Sequence, residues 1–306
     1  MKVLLTGMTG NLGHEVAHAL RLEGIEVIAC VRPGKWHGQA GESVERDLLA
    51  SETIPYEGAL DAVVHAAGNV RFHDAGTSNE RMILPVIALA EARGIPVYAV
   101  STAFLYKPDP GNAYANSYEE DKARMEARLT ESGIEHALLR PSVLTGSTRT
   151  GELRSYTGYY RIVRAVRDAA LHAKGNGRRF RFPQMRGYSD IIPVDIAAGC
   201  VVRALTENLR GVQYITNPNP PSSDWLLEET LSRLGLREAV EVVPMTLEEF
   251  GSLSLTEEER MLHQFAESFK PYWSMEYRFP ESVCTKAVID NVYLERTLSA
   301  FSRTHG

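Results

Sequence analysis

Residues 6–18, TGMTGNLGHEVAH, carry two signals that exclude one another. Gly7, Gly10 and Gly13 form a glycine ladder, whereas His14-Glu15-x-x-His18 matches the H-E-x-x-H pattern of zinc proteases. A ladder between a strand and a helix permits a tight turn and lets backbone approach a pyrophosphate, which the positive helix N-terminus attracts. Context favours that reading. KVLL (2–5) precedes as a short apolar strand, and LGHEVAHALRL (12–22) follows as a helix. On this helix Leu12, Val16 and Leu20 recur at i, i+4 and i+8 and form the packing face, which puts His14 and His18 on the solvent side. A catalytic zinc would need a third ligand in a cleft, and nothing nearby in the sequence supplies one. The stretch is read as a phosphate-binding turn, with no metal.

The same grammar repeats outward. EVIACVR (26–32), DAVVHAAG (61–68), PVYAVST (96–102) and HALLRPSV (136–143) read as buried strands, with helical patterns over 11–23, 77–93 and 115–132 between them. Such alternation predicts an α/β fold, a Rossmann-type doubly wound parallel sheet. Beyond residue 150 the alternation loosens. SDIIPVDIAAGCVVRAL (189–205) gives a short strand and a helix, VQYIT (212–216) gives another strand, and NPNPPSSDW (217–225) is a Pro-rich turn. The expected division is a Rossmann domain over 1–216 and a smaller, mainly helical C-terminal substrate lobe over 217–306.

Bulk properties narrow the class. A net charge of -6 argues against nucleic acid as a partner of the whole chain. The three cysteines, Cys30, Cys200 and Cys284, are odd in number, scattered, and lack metal-binding spacing, which suits a reducing compartment. The N-terminal residues run straight into the glycines, leaving no room for a signal peptide. No apolar run approaches the roughly 20 residues that span a bilayer. A cytoplasmic protein without a membrane partner is expected.

The end of the second strand selects the dinucleotide. An Asp or Glu there would bond the ribose hydroxyls of NAD, while an Arg accommodates a 2′-phosphate. Here the chain reads Ala29-Cys30-Val31-Arg32-Pro33-Gly34-Lys35, with two bases and no acid. NADP(H) is the expected cofactor, with Arg32 able to fork onto a phosphate and Lys35 beside it.

Gly7-x-x-Gly10-x-x-Gly13, Asp47-Leu48, HAAG (65–68), Asn79, ST (101–102), Tyr118-x-x-x-Lys122 and RPSV (140–143) stand in an order that resembles the extended short-chain dehydrogenases/reductases over residues 1–200. CVRP (30–33), HAAGNVRF (65–72), VSTAFLY (100–106), LRPSVLTGSTRTGE (139–152), DIIPVDIA (190–197) and FKPYWSMEYRFPESVCT (269–285) look most like the thioester-reductase and fatty acyl reductase branch. The resemblance implies cofactor contacts from Gly7, Thr9, Gly10, Asn11, Leu12, Gly13, Arg32, Lys35, Asp47, Leu48, Ala66, Ala67, Gly68, Lys122, Pro141, Ser142 and Val143. It makes Tyr118 the proton donor, Lys122 the cation that holds the nicotinamide ribose and lowers the tyrosine's pKa, and Thr102 the hydroxyl facing the substrate oxygen. The chemistry explains the residue types, because hydride addition leaves an oxyanion that must receive a proton, and an ordinary tyrosine titrates near ~10. Asp121 precedes the lysine where the family usually has a small residue. With Glu119 and Glu120 it is expected to favour the charged ammonium. His65 is read as structural and near the cofactor, and His73 is left without a role.

Residues 149–186 hold ten Lys/Arg against two acids. Arg161 and Arg164 are expected on one helix face with Lys174 nearby, and GNGRRFRF (175–182) interleaves bases with aromatics. Such a segment suits a solvated face or a dock for an anion, either coenzyme A phosphates or an acidic acyl carrier protein arriving on a separate molecule. The leading expectation is an NADPH-dependent reductase of an acyl thioester, giving an aldehyde, with reduction on to an alcohol left open. The alternatives are a reductase of a small free ketone or aldehyde, a sugar-nucleotide epimerase or dehydratase, and a dinucleotide-sensing protein without turnover.

Overall fold

The computed structural model describes residues 1–34, 41–71, 76–109, 111, 113–273 and 275–305. Strand β1 (Lys2–Thr6) leads through the glycine turn into α1 (Asn11–Leu22). Next come β2 (Glu26–Val31), the short β3 (Ser43–Glu45), β4 (Ala62–His65), α2 (Ser78–Arg93), β5 (Val97–Val100), α3 (Ser117–Glu131) and β6 (His136–Pro141). The chain continues as β7 (Val143–Thr145), α4 (Tyr159–Gly175), β8 (Phe180–Pro183), β9 (Ile191–Pro193), α5 (Val194–Thr206) and β10 (Gly211–Ile215). The remainder holds α6 (Ser223–Arg233), β11 (Val240–Val243), α7 (Leu247–Gly251), α8 (Glu257–Trp273) and α9 (Asn291–His305).

Contacts divide the chain into two compact units. The first comprises Met1–Ser142, Val194–Thr216 and Phe279–Thr285, and the second Val143–Pro193, Asn217–Arg278 and Lys286–Gly306. In the first unit the described residues form a seven-stranded sheet, ordered β10-β6-β5-β4-β1-β2-β3, with every pairing parallel. This is the expected doubly wound α/β fold. Order reverses between β1 and β4, and that switch point is where ligands bind in open α/β sheets. Helix α1 packs on α5 and α2 on α3. Covered on both faces, the inner strands β1, β2, β4, β5 and β6 bury nearly continuous apolar runs, as parallel strands do. Leu4, Ile28, Val63, Ala99 and Leu138 share one core with Ile83 and Val86 of α2 and Met125 and Leu129 of α3.

The second unit is helical with two small parallel strand pairs, β7 with β9 and β8 with β11. The expected cut after residue 216 falls at one crossing between units. Residues 143–193, however, group with the second unit, because β8 finds its partner in β11, with Phe180 opposite Val240. Among the described residues no helix is long and apolar enough to cross a membrane.

Candidate active site

The glycine turn is built as its residues dictate. Gly7 has φ +73°, and a Cβ there would lie 2.4 Å from Ala66 C and Ala67 N, so only glycine lets this turn press against the loop after β4. A Cβ on Gly13 would lie 2.2 Å from Gly7 O, which locks the helix start onto the turn. Gly10 differs: its N–H donates to Gly7 O at 2.9 Å, and a Cβ would meet only that oxygen, at 3.3 Å. Gly10 and Thr9 are exposed, Asn11 is half-buried, and Leu12 is buried. The start of α1 has no side-chain cap from Gly10 and no acid in its first turn. A helix N-terminus fronted by bare glycine backbone, with no acid in its first turn, fits a pyrophosphate. Leu12, Val16 and Leu20 are buried as the periodicity predicts, while His18 is exposed and His14 half-buried. Among the described residues no three His, Cys, Asp or Glu side chains are grouped to hold a metal.

At the carboxyl ends of β1 and β4, Thr6 Oγ1 lies 2.9 Å from His65 Nδ1 and accepts from Ala67 N at 3.2 Å. This pins the HAAG loop to the glycine turn. Burial pushes His65 down to about 3, with the Lys122 charge adding to the effect, so its ring is neutral. The loop continues to Asn69, whose N–H donates to Asn79 Oδ1 at 2.9 Å and whose carbonyl accepts from Asn79 Nδ2 at 3.0 Å. His65 Nε2, Ser101 Oγ and Ser142 Oγ are buried and lack partners among the described residues. They stand at the ends of three adjacent strands, β4, β5 and β6. Buried polar atoms are rarely left orphaned, and a polar ligand along this crest would satisfy them. The cradle therefore fits a dinucleotide.

Thr102, Tyr118 and Lys122 come together beside it. Asn116 caps α3, accepting from Glu119 N at 3.1 Å, which sets the helix so that Tyr118 and Lys122 fall one turn apart on its buried face. The Tyr118 phenol is hydrogen-bonded to Thr102. Lys122 Nζ donates to Val100 O at 2.8 Å and lies 3.7 Å from Met125 Sδ. A Cβ on Gly68 would stand 3.2 Å from the same Nζ, so the lysine needs a bare loop opposite it.

One expectation about titration needs correction, and a second is outweighed by burial. Burial, the largest cause, pushes Tyr118 up to about 12, rather than a cation pulling it down. Burial likewise takes Lys122 down to about 8, although Asp121 and Glu126 pull it upward. The neighbouring acids also accept hydrogen bonds of their own. Asp121 accepts from Asn79 N, Asn79 Nδ2 and Glu80 N at 2.8, 2.9 and 3.1 Å, capping α2 from outside. Glu119 accepts from Lys107 Nζ at 2.8 Å and Ala115 N at 2.9 Å, and Glu120 faces solvent. The Asn79–Asp121 clamp carries no sequence signal beyond residue identity, since its partners lie 42 positions apart.

At the far end of the crest, Arg32 follows β2 and is exposed. Lys35 and His73 lie outside the described residues. Asp47 is half-buried and turns its carboxylate to Leu49 N at 3.0 Å. The Leu48 side chain belongs to the core. Pro141 ends β6, Ser142 N donates to Ile215 O at 3.1 Å, and Val143 opens β7 in the second unit.

The basic segment lies in the second unit. Phe180 and Phe182 point into its core, so strand alternation, not an aromatic binding surface, interleaves them with arginines. Arg181 is forked on Glu259 with two contacts of 2.8 Å, Arg178 reaches Glu258 at 3.3 Å, and Arg161 lies over the Phe265 and Phe269 rings. Arg164, Lys174 and Arg179 are exposed.

The glycine cradle and the sheet order mark an extended short-chain dehydrogenase/reductase, a class of NAD(P)-binding enzymes. More particularly, the chain belongs to the family described as the RmlD substrate binding domain, whose model matches residues 1–156. A Streptomyces sp. protein named 3-diazoavenalumate denitrifying reductase is 26% identical over 258 residues, spanning 74% of this chain and 79% of that one. Among solved structures, the terminal R domain of the myxalamid PKS-NRPS pathway superposes with a TM-score of 0.72 at 18% identity, covering 99% of this chain and 91% of its own. A thiolation-reductase di-domain from an archaeal non-ribosomal peptide synthetase gives 0.71 at 16% identity, covering 99% and 75%. At these identities the structural likeness speaks for the fold.

Proposed function

We propose that the chain is an NADPH-dependent carbonyl reductase that takes an acyl thioester, held on coenzyme A or a carrier protein, to an aldehyde. The observation that carries this reading is the buried Tyr118–Thr102 hydrogen bond beside Lys122 at the carboxyl edge of the sheet. When bound, the dinucleotide supplies a hydride. Tyr118, held protonated by a pKa of about 12, donates its proton to the carbonyl oxygen as negative charge develops there. Thr102 positions that oxygen. Lys122, mostly charged below about pH 8, would hold the nicotinamide ribose of the bound dinucleotide. The resulting hemithioacetal expels its thiol. Likeness over nearly the whole chain to reductase domains of thiotemplate assembly lines supports a thioester, and the exposed Arg164, Lys174 and Arg179 offer an acidic carrier an electrostatic footing. The acid-free end of β2 disfavours an NAD-holding epimerase.

The Streptomyces relative favours a second reading, hydride delivery to the carbon of a diazo group with loss of dinitrogen. The two differ in their need for an acid: a carbonyl oxygen must be protonated, whereas hydride addition to an aryl diazonium yields arene and N2 without a proton. NADPH oxidation should therefore be followed against acyl-CoAs, carrier-bound acyl groups, free aldehydes and an aryl diazonium, in wild type and Tyr118→Phe. Thioester turnover that falls at least about 100-fold in the variant supports the first reading. Diazonium turnover that survives the substitution supports the second. Equal NADPH consumption by both proteins on every carbonyl removes the carbonyl reductase.

A further inference from the structure

The edge strand of the sheet carries a charge that Arg32 alone does not explain. β3 pairs with β2 in parallel register, Cys30 opposite Val44 and Val31 opposite Glu45. Arg46 continues that register, its N–H donating to Val31 O at 2.7 Å, so it stands level with Arg32 at the strand ends. Side chains alternate along strands, which puts Cys30 and Arg32 on one face and Val44 and Arg46 on that same face. The pull of the Arg46 charge on the buried Cys30 thiol agrees with this placement. Arg46 is half-buried, and its Nε is closed to solvent without a hydrogen-bond partner among the described residues.

Two arginines level on one face of adjacent strands concentrate positive charge, and withdrawing a guanidinium from water without a counter-charge is costly. A phosphate monoester relieves both problems, since it carries up to two negative charges and several acceptor oxygens matched to the arginine fork. We infer that Arg46 is the second jaw of a clamp whose first jaw is Arg32, and that the clamp closes on the 2′-phosphate of NADP(H). This rests on the NADPH reading above and adds to it a specificity-determining residue on the edge strand. It also gives the absence of an acid after β2 a counterpart on β3.

The test is binding to the full chain, read by calorimetry, of 2′,5′-ADP against 5′-AMP and of NADPH against NADH. Wild type should prefer the phosphorylated member of each pair. Arg46→Gln should weaken 2′,5′-ADP and NADPH by about ten- to a hundredfold, as expected for a lost charge-assisted contact, and leave 5′-AMP and NADH within about twofold. Arg46→Lys should recover part of the preference, and it carries the same comparison if the glutamine variant melts early. Equal weakening of all four ligands, or of none, overturns the clamp while leaving the NADPH reading intact if wild type still discriminates. A wild type that binds both members of each pair equally overturns both.

Discussion

Lys122→Met removes an ammonium that burial disfavours, and it should raise stability while ending activity. The folded lysine titrates at about 8 against an ordinary 10.5, a difference worth about 3 kcal/mol. The folded value lies below the unfolded one, so between these pH values the unfolded chain binds more protons and stability rises with pH. Below about pH 8 the full cost of the charge is present. Against it stands the hydrogen bond to Val100 O, whose loss leaves a buried carbonyl unmet at about 1–2 kcal/mol. A methionine suits the remaining space, which already contains the Met125 sulfur. The balance is a gain of about 1–2 kcal/mol near neutral pH, or roughly 2–4 °C in Tm for a chain of this size. Thermal unfolding of both proteins between about pH 6.5 and 10 reads it directly. The variant's advantage should be largest below the lysine's folded pKa and shrink as pH rises. A variant less stable than wild type at neutral pH, or a difference that stays flat across the range, would refute the reasoning.

Further outcomes follow from the same geometry. Gly13→Ala must displace Gly7 O from 2.2 Å and should cost several degrees of Tm together with dinucleotide binding. Gly10→Ala meets that oxygen only at 3.3 Å and should keep its Tm while weakening dinucleotide affinity, which a melt and a binding titration separate. Asp121→Ala strips three N–H donors of their acceptor and should lower unfolding free energy by about 2–4 kcal/mol in urea, with faster exchange at the Asn79 and Glu80 amides. The pH profile of kcat/KM should fall above about pH 8, as Lys122 loses the charge that would hold the dinucleotide's ribose.

The features legible in the sequence are those set by local rules. The glycine turn, α1 and the Tyr118–Lys122 pair follow from spacing along a few residues, and the central strands announce themselves as short apolar runs between turns. β3 was not legible, because three residues at a sheet edge, half-buried or exposed, carry no apolar run, and Arg46 was hidden with it. Proximity in sequence gave Asp121's upward pull on Lys122 but not the burial that outweighs it. Its carboxylate also caps α2, and burial, the largest cause, sets the net direction for Lys122. Alternation misled for RRFRF: bases and aromatics that adjoin in the chain point to opposite sides of β8, and the aromatics are core. The grouping of residues 143–193 with the second unit depends on β8 meeting β11 some 60 positions on, a pairing no local pattern encodes.

The central claim, hydride delivery beside a protonated Tyr118 to a thioester carbonyl, is tested most directly with NADPH deuterated at C4. Wild type incubated with an acyl-CoA or carrier-bound acyl group should yield an aldehyde bearing deuterium at C1 by mass spectrometry, and Tyr118→Phe should yield essentially none. Unlabelled product, or equal labelling by both proteins, would contradict the account.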